Sequence, residues 1–177
     1  GESMDIPKNR WEANNTSHAP IHRIGAKGLL LYNLLPLIPK TDCFVDVFGG
    51  SGAVLFNTPV HKIEVYNDID TNIVNFFRVL QNPELFSKLV HRLQYTLYSR
   101  KEYDLAKRII SNISADTCSI DWAWAFYVVS NQSFCSNLTS WGYMKKYDAN
   151  KKLLKKKKSR FKRRIGELRR YIDRLQY

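Results

Sequence analysis

Apolar positions recur along this chain with two different periods, and the change from one to the other divides it. "DCFVDVF" (Asp42 to Phe48) is a short β-rich run without polar alternation, which predicts a strand covered on both faces. "SGAVLFN" (Ser51 to Asn57) then reads as the opening of a helix, and "KIEVYND" (Lys62 to Asp68) as a second strand. "TNIVNFFRVLQNP" sets Ile73, Phe76, Phe77 and Leu80 on one helical face and is closed by Pro83. Strand, helix, strand, helix predicts the start of a parallel α/β unit. Upstream, "KGLLLYNLLPLI" (Lys27 to Ile38) has helical apolar density ended by Pro36 and Pro39. Residues 1–20 show no period and are read as a loose arm.

From Glu84 the strand signals thin out. "PELFSKLVHRLQ" and "SRKEYDLAKRIISNI" read as helices, and "SIDWAWAFYVVSNQ" is apolar around most of its circumference, as a buried helix is. "SFCSNLTSWGYMKKYDAN" is polar, aromatic and glycine-bearing, and predicts an exposed loop or hairpin. In the last segment Phe161, Ile165, Leu168, Ile172 and Leu175 follow at alternating steps of four and three. That is an apolar stripe along a helix from about Leu153 to Gln176, too apolar to face water.

Charge sharpens this division. The chain carries 28 Lys and Arg against 16 Asp and Glu, and its net charge is +12. Residues 150–177 hold thirteen of the basic residues and only Glu167 and Asp173 of the acids, so nearly all the excess belongs to one segment. A block of this kind implies a polyanion partner or a solvated face. The longest apolar run is interrupted by Asn33 and Pro36 and is too short to span a bilayer. Cys43, Cys118 and Cys135 are odd in number and lack metal-ligand spacing, so they are read as reduced packing residues of an intracellular protein. His18, His22, His61 and His91 are scattered and are read as surface residues.

The candidate chemistry sits after the first strand. Gly49, Gly50 and Gly52 make a turn that needs positive φ and lets a ligand approach the backbone. Asp68, at the end of the next strand, lies about 20 residues on, the spacing that suits a ribose diol. The pair is the signature of an adenosine-containing cofactor. Leu55 stands where the third glycine of the dinucleotide pattern belongs, and no Gly-Lys-Ser/Thr phosphate loop occurs. A cofactor without a pyrophosphate, such as S-adenosylmethionine, fits better. An ordinary strand-to-helix turn followed by a surface acid is the alternative.

"IGAK" some twenty residues before "DVFGGSGAV", followed by "YNDID", resembles the N-terminal part of the Dam-like (D12 class) adenine-N6 DNA methyltransferases. The resemblance covers roughly Ile21 to Leu80 by motif and extends more loosely to Tyr143. It implies a Rossmann-like S-adenosylmethionine-dependent α/β fold, partial here, with a mostly helical DNA-recognition insertion. The implied organisation is an arm (1–20), a cofactor-binding α/β region (21–83), a helical target-recognition region (84–149) and a basic amphipathic helix (150–177). Carried over, Lys27 would lie against the cofactor, Phe48, Gly49, Gly50 and Gly52 would wrap it, and Asp68 would bind the ribose hydroxyls. Many relatives have an aromatic residue where Arg23 stands. "SNQSFCSNLTSWGY" sits where such enzymes carry an Asn- and aromatic-rich loop contacting double-stranded DNA, which makes Asn131, Ser133 and Asn137 candidates for base contacts. Lys155, Lys156, Lys157 and Lys158 are the candidates for phosphate contacts.

Adenine N6 is a poor nucleophile because its lone pair is delocalised into the ring. Enzymes acting on it flip the base out and hold it in a pocket. In the resembled family the acceptors for the amino group come from an Asp/Asn-Pro-Pro-aromatic motif. No Pro-Pro occurs among the 177 residues, and the last proline is Pro83. No residue is therefore assigned as catalytic acid or base. A truncated chain, half of a split enzyme completed by a second chain, and a degenerate binding protein are the explanations, truncation being favoured. The expectation is a bacterial or phage-encoded cytoplasmic DNA methyltransferase whose chain is inactive alone. The rival is a non-catalytic nucleic-acid-binding module, and an RNA-directed methyltransferase is a weaker third.

Overall fold

Val45 and Val65 lie side by side in a two-stranded parallel sheet formed by β1 (Cys43–Asp46) and β2 (Ile63–Tyr66). The register runs from Cys43 opposite Ile63 to Asp46 opposite Tyr66. The computed structural model describes residues 19–21, 31–47, 49–133, 141 and 160–175, and the sheet has these two strands among them. The expectation of a strand covered on both faces is overturned: Val45, Ile63 and Val65 stand 49%, 58% and 43% exposed. Alternate side chains point to opposite faces. Phe44 and Asp46 turn inward, together with Glu64 and Tyr66, and that face meets the helices through Tyr66 and Phe77 (ring centroids 4.9 Å apart).

The helices form where caps and apolar stripes coincide. Leu31 to Leu34 make a short α1, which tightens into a 3-10 turn over Leu35–Leu37 and ends before Pro39. Helix α2 (Thr71–Gln81) is capped by Asp70, whose carboxylate accepts the Asn72 N–H, and it buries Ile73, Phe76, Phe77 and Leu80 as the spacing predicts. Asn82 closes α2 and caps α3 (Pro83–Gln94) by accepting from Glu84 and Leu85. Pro83 costs α3 nothing in its first turn, where its missing N–H has no partner in any case. Helix α4 (Arg100–Ser111) starts on Ser99, which accepts from the Glu102 N–H. Helix α5 (Ser119–Gln132) is buried all round from Ala123 to Ser130 and forms the centre of the molecule. Its neighbours are α2, α3 and α4. The core is thus a helical layer resting on one face of a small sheet, an α/β arrangement. Among the described residues no helix is long and apolar enough to cross a membrane.

The basic segment docks by its stripe. Residues 160–167 are α-helical (α6), Leu168–Tyr171 tighten to a 3-10 turn, and Ile172–Leu175 return to α (α7). Phe161, Ile165 and Leu168 are fully buried in the same core as α5, and Ile172 and Leu175 pack at its margin. The Lys162 ammonium donates to the Thr96 carbonyl at 2.9 Å and to those of Leu93 and Gln94, so it caps the C-terminus of α3. Desolvation there lowers its pKa from the ordinary lysine value. Burial also pushes the Tyr171 hydroxyl up to about 12, so it enters this packing neutral.

Three further expectations are corrected. "SGAVLFN" turns rather than opening an α-helix: a single 3-10 turn over Leu55–Asn57 follows two residues of positive φ, and Pro59 comes soon after it. His61 is buried, not on the surface. Its ring stacks on Phe44 (centroids 5.1 Å, 16°) and its Nδ1 lies 3.3 Å from Glu64. Cys43 and Cys118 are exposed rather than packed. Cys43 belongs to the open sheet face, and Cys118 precedes the first turn of α5; Cys135 lies outside the described residues.

Candidate functional site

The glycine turn is held by the end of β2. Past β1 the two strands continue their exchange: Asn67 N–H donates to the Asp46 carbonyl and Gly49 N–H to the Asn67 carbonyl, each at 2.9 Å. Gly50 and Gly52 adopt φ of 54° and 76°, left-handed values that L side chains avoid. Gly49 is required for a different reason. A Cβ there would lie 2.1 Å from the ring of Tyr66, whose hydroxyl donates to the Gly50 carbonyl at 2.5 Å. At Gly52 a Cβ would meet the Phe56 ring at 2.4 Å. Tyr66 and Phe56 are both packed edge-on against Phe77 of α2, so the turn rests on an aromatic layer.

Asp68 binds the turn directly. One carboxylate oxygen accepts the Gly50 N–H at 2.7 Å and the other accepts the Asp70 N–H at 2.8 Å. A carboxylate offers about four lone-pair sites. Two N–H bonds hold it in place and leave acceptor capacity for hydroxyls. A cleft of about 440 Å³ begins at Asp68 and runs between β2 and α2, lined by Leu55, Tyr66, Asn67, Phe77 and Arg78 among others. That volume falls in the range of small-molecule sites.

Of the cofactor candidates, Gly49, Gly50, Gly52 and Asp68 therefore come together, while Lys27 and Phe48 lie outside the described residues. The DNA candidates sit elsewhere. Asn131 is half-buried near the end of α5; its amide donates to the Tyr127 carbonyl at 2.9 Å and its oxygen accepts from Arg164 at 3.2 Å. Ser133 is buried rather than on an exposed loop, and it forms an isolated antiparallel bridge with Trp141. Asn137, Lys155, Lys156, Lys157 and Lys158 lie outside the described residues.

Residue-by-residue reading missed Tyr66, Asn72 and Trp122. Tyr66 was accessible in principle, since it shares the inward face of β2 with Glu64. Trp122 carries no local signal: its indole N–H donates to Asn72 across fifty residues of sequence.

A family model for D12 class N6 adenine-specific DNA methyltransferases matches residues 24–177. Among curated proteins, the modification methylase StsI of Streptococcus sanguinis is 34% identical over 97 residues, which is 52% of this chain and 14% of that protein. The type II methyltransferase M.FokI of Planomicrobium okeanokoites is 30% identical over 87 residues, 49% of this chain and 13% of that protein. The chain therefore spans a small part of the length of the curated relatives it matches.

Proposed function

The chain belongs to the D12 class N6 adenine-specific DNA methyltransferases, and from that premise we propose that it is the cofactor-binding and target-recognition part of a site-specific adenine-N6 methyltransferase of a restriction-modification system. The observation that carries this reading is the Gly50 N–H bonded to the Asp68 carboxylate at 2.7 Å. It fastens a turn with two left-handed glycines beside an acid with spare acceptor capacity. S-adenosylmethionine, when bound, supplies an electrophilic methyl group. Two features of the site suit it: the half-buried, left-handed Gly50 on the turn, and the Asp68 carboxylate lining a cleft of sufficient size. In this reading the fold is Rossmann-like, Asp68 accepts from the ribose hydroxyls, Gly49, Gly50, Gly52 and Phe48 wrap the cofactor, and Lys27 lies along it.

The chain's own work is binding and orientation. Methyl transfer to adenine N6 forms a C–N bond, breaks the S–C bond and releases one N6 proton. The amino group must be held by acceptors while this happens. The Asp/Asn-Pro-Pro-aromatic acceptor motif is not among the 177 residues, so this chain alone is expected to add no label to adenine-containing duplexes.

Calorimetry with S-adenosylmethionine tests the reading. Asp68→Ala should weaken binding by about 1.5–3 kcal/mol, the scale of hydrogen bonds to a charged group. Equal affinity in wild type and variant would return the turn to an ordinary strand-to-helix connection. DNA binding indifferent to the cofactor would favour a non-catalytic nucleic-acid module instead.

The partner in this reading is double-stranded DNA, with phosphates tracked by the basic segment. Several described cations are already engaged within the protein: Lys162 on three carbonyls, Arg164 on Asn131, and Arg163 and Arg170 at 3.7 and 3.9 Å from Glu167. The candidates for phosphate contacts remain Lys155, Lys156, Lys157 and Lys158, the run of four consecutive lysines in that segment. Neutralising all four should lower DNA affinity similarly across unrelated sequences. It should also flatten the salt dependence by up to about 0.9 for each phosphate no longer neutralised by the protein. A slope equal to wild type in a salt titration would make this charge a solvated face.

A further inference from the structure

Asp68 is joined to the helical region by two runs of hydrogen bonds that meet at Asp70, one on its backbone and one on its carboxylate. Gly50 N–H donates to Asp68, which accepts the Asp70 N–H on its other oxygen. The Asp70 carboxylate accepts both the Asn72 backbone N–H at 3.0 Å and the Asn72 side-chain amide at 2.9 Å. The Asn72 oxygen in turn accepts the Trp122 indole N–H at 2.7 Å. An indole N–H can only donate and an ionised carboxylate can only accept. Between those two neighbours Asn72 has a single satisfying orientation, oxygen toward Trp122 and amide toward Asp70. Trp122 thereby fixes Asn72, Asn72 fixes the Asp70 carboxylate, and the Asp70 backbone holds Asp68 against the glycine turn.

We propose that Asn72 and Trp122 are positioning residues for Asp68, holding its carboxylate in the orientation that receives the cofactor. The inference rests on the cofactor reading given above. It makes the first turn of α5, in the recognition region, part of the cofactor site's support, although neither Asn72 nor Trp122 need touch the ligand. An alternative is that the Trp122 bond only joins α5 to α2, as Asn75 does by donating to the Ser119 carbonyl at 3.0 Å. The two readings differ in what Trp122→Phe does to the far end of the line.

Trp124 supplies the control. It lies on the same helix, and its indole N–H donates to Thr96 Oγ1 at 2.8 Å, deep in the helical core and off this line. Trp122→Phe should lower S-adenosylmethionine affinity between about twofold and tenfold, the range one neutral hydrogen bond commands. It should also shift the Gly50 amide resonance in a 1H–15N spectrum of the ligand-free protein, because that N–H reports the Asp68 carboxylate directly. Asn72→Leu, which keeps the size and the backbone cap on Asp70 but removes both side-chain links, should do the same. Trp124→Phe should leave both readouts as in wild type. Wild-type affinity and an unmoved Gly50 amide in Trp122→Phe and Asn72→Leu would overturn this inference and leave the cofactor reading standing. No binding of S-adenosylmethionine by the wild-type chain would overturn the cofactor reading, and this inference with it.

Discussion

Phe161→Ala is expected to destabilise the whole fold by about 3–5 kcal/mol, the cost of emptying a fully packed aromatic site. Phe161 is 2% exposed and packs against Tyr127 and Tyr98, with ring centroids 5.8 and 6.3 Å away. Its cavity would open at the junction of α6 and α5, where the residues on both sides are held by several helices and cannot collapse inward. The next residue, Lys162, caps α3, so a displaced α6 would also uncover the carbonyls of Leu93 and Thr96. Denaturant unfolding followed by helical circular dichroism measures the effect. A loss below about 0.5 kcal/mol, typical of surface substitutions, would mean that the basic segment is an appendage and not part of the core. The same experiment separates the two roles of this segment. Its charged face can be neutralised without touching the stripe, whereas the stripe cannot be cut without loosening the domain.

Gly49→Ala is expected to cost about 1–3 kcal/mol of stability, as overpacking does, and to remove S-adenosylmethionine binding. The new Cβ would sit 2.1, 2.5 and 2.8 Å from three atoms of the Tyr66 ring. That ring cannot swing away freely, because its hydroxyl donates to the Gly50 carbonyl and its edge packs on Phe77. Either Tyr66 leaves and releases Gly50, or the turn lifts and breaks the Gly50–Asp68 bond. Both outcomes disorganise the site. A double-mutant cycle isolates the clash: in a Tyr66→Ala background, Gly49→Ala should cost much less than in wild type. Equal cost in the two backgrounds would show that Gly49 is needed for something other than room beneath Tyr66.

Much of the helical region was legible because its determinants are local. Asn82 followed by Pro83 ends one helix and starts the next within two residues. The fourteen residues "SIDWAWAFYVVSNQ" form one buried helix because no face of that segment is polar enough to leave in water. The stripe from Phe161 to Leu175 was readable for the same reason, although its middle tightens into a 3-10 turn that heptad spacing does not foresee. The exposed sheet face was not legible. "CFVDV" looks buried because four of its five residues are apolar, yet a strand's coverage depends on which elements pack on each side, and that information is not in the strand. His61 misled for the opposite reason. A polar residue in a loop looks solvated until Phe44 and Glu64 are brought around it by the pairing of β1 with β2.

The sequence by itself determined where the backbone must turn and which faces must be hidden. Glycines at 50 and 52, the caps and the apolar stripes each act within a few residues, through φ preferences and helical periodicity. Only the tertiary structure decided which groups hold the candidate site and the helices around it together. Tyr66 under Gly49, Trp122 on Asn72, Arg164 on Asn131 and Lys162 over the end of α3 join residues from 17 to 69 positions apart. Such pairings are set by how the strands pair and the helices pack, and a donor or an aromatic ring carries no mark in the sequence of the partner it will meet.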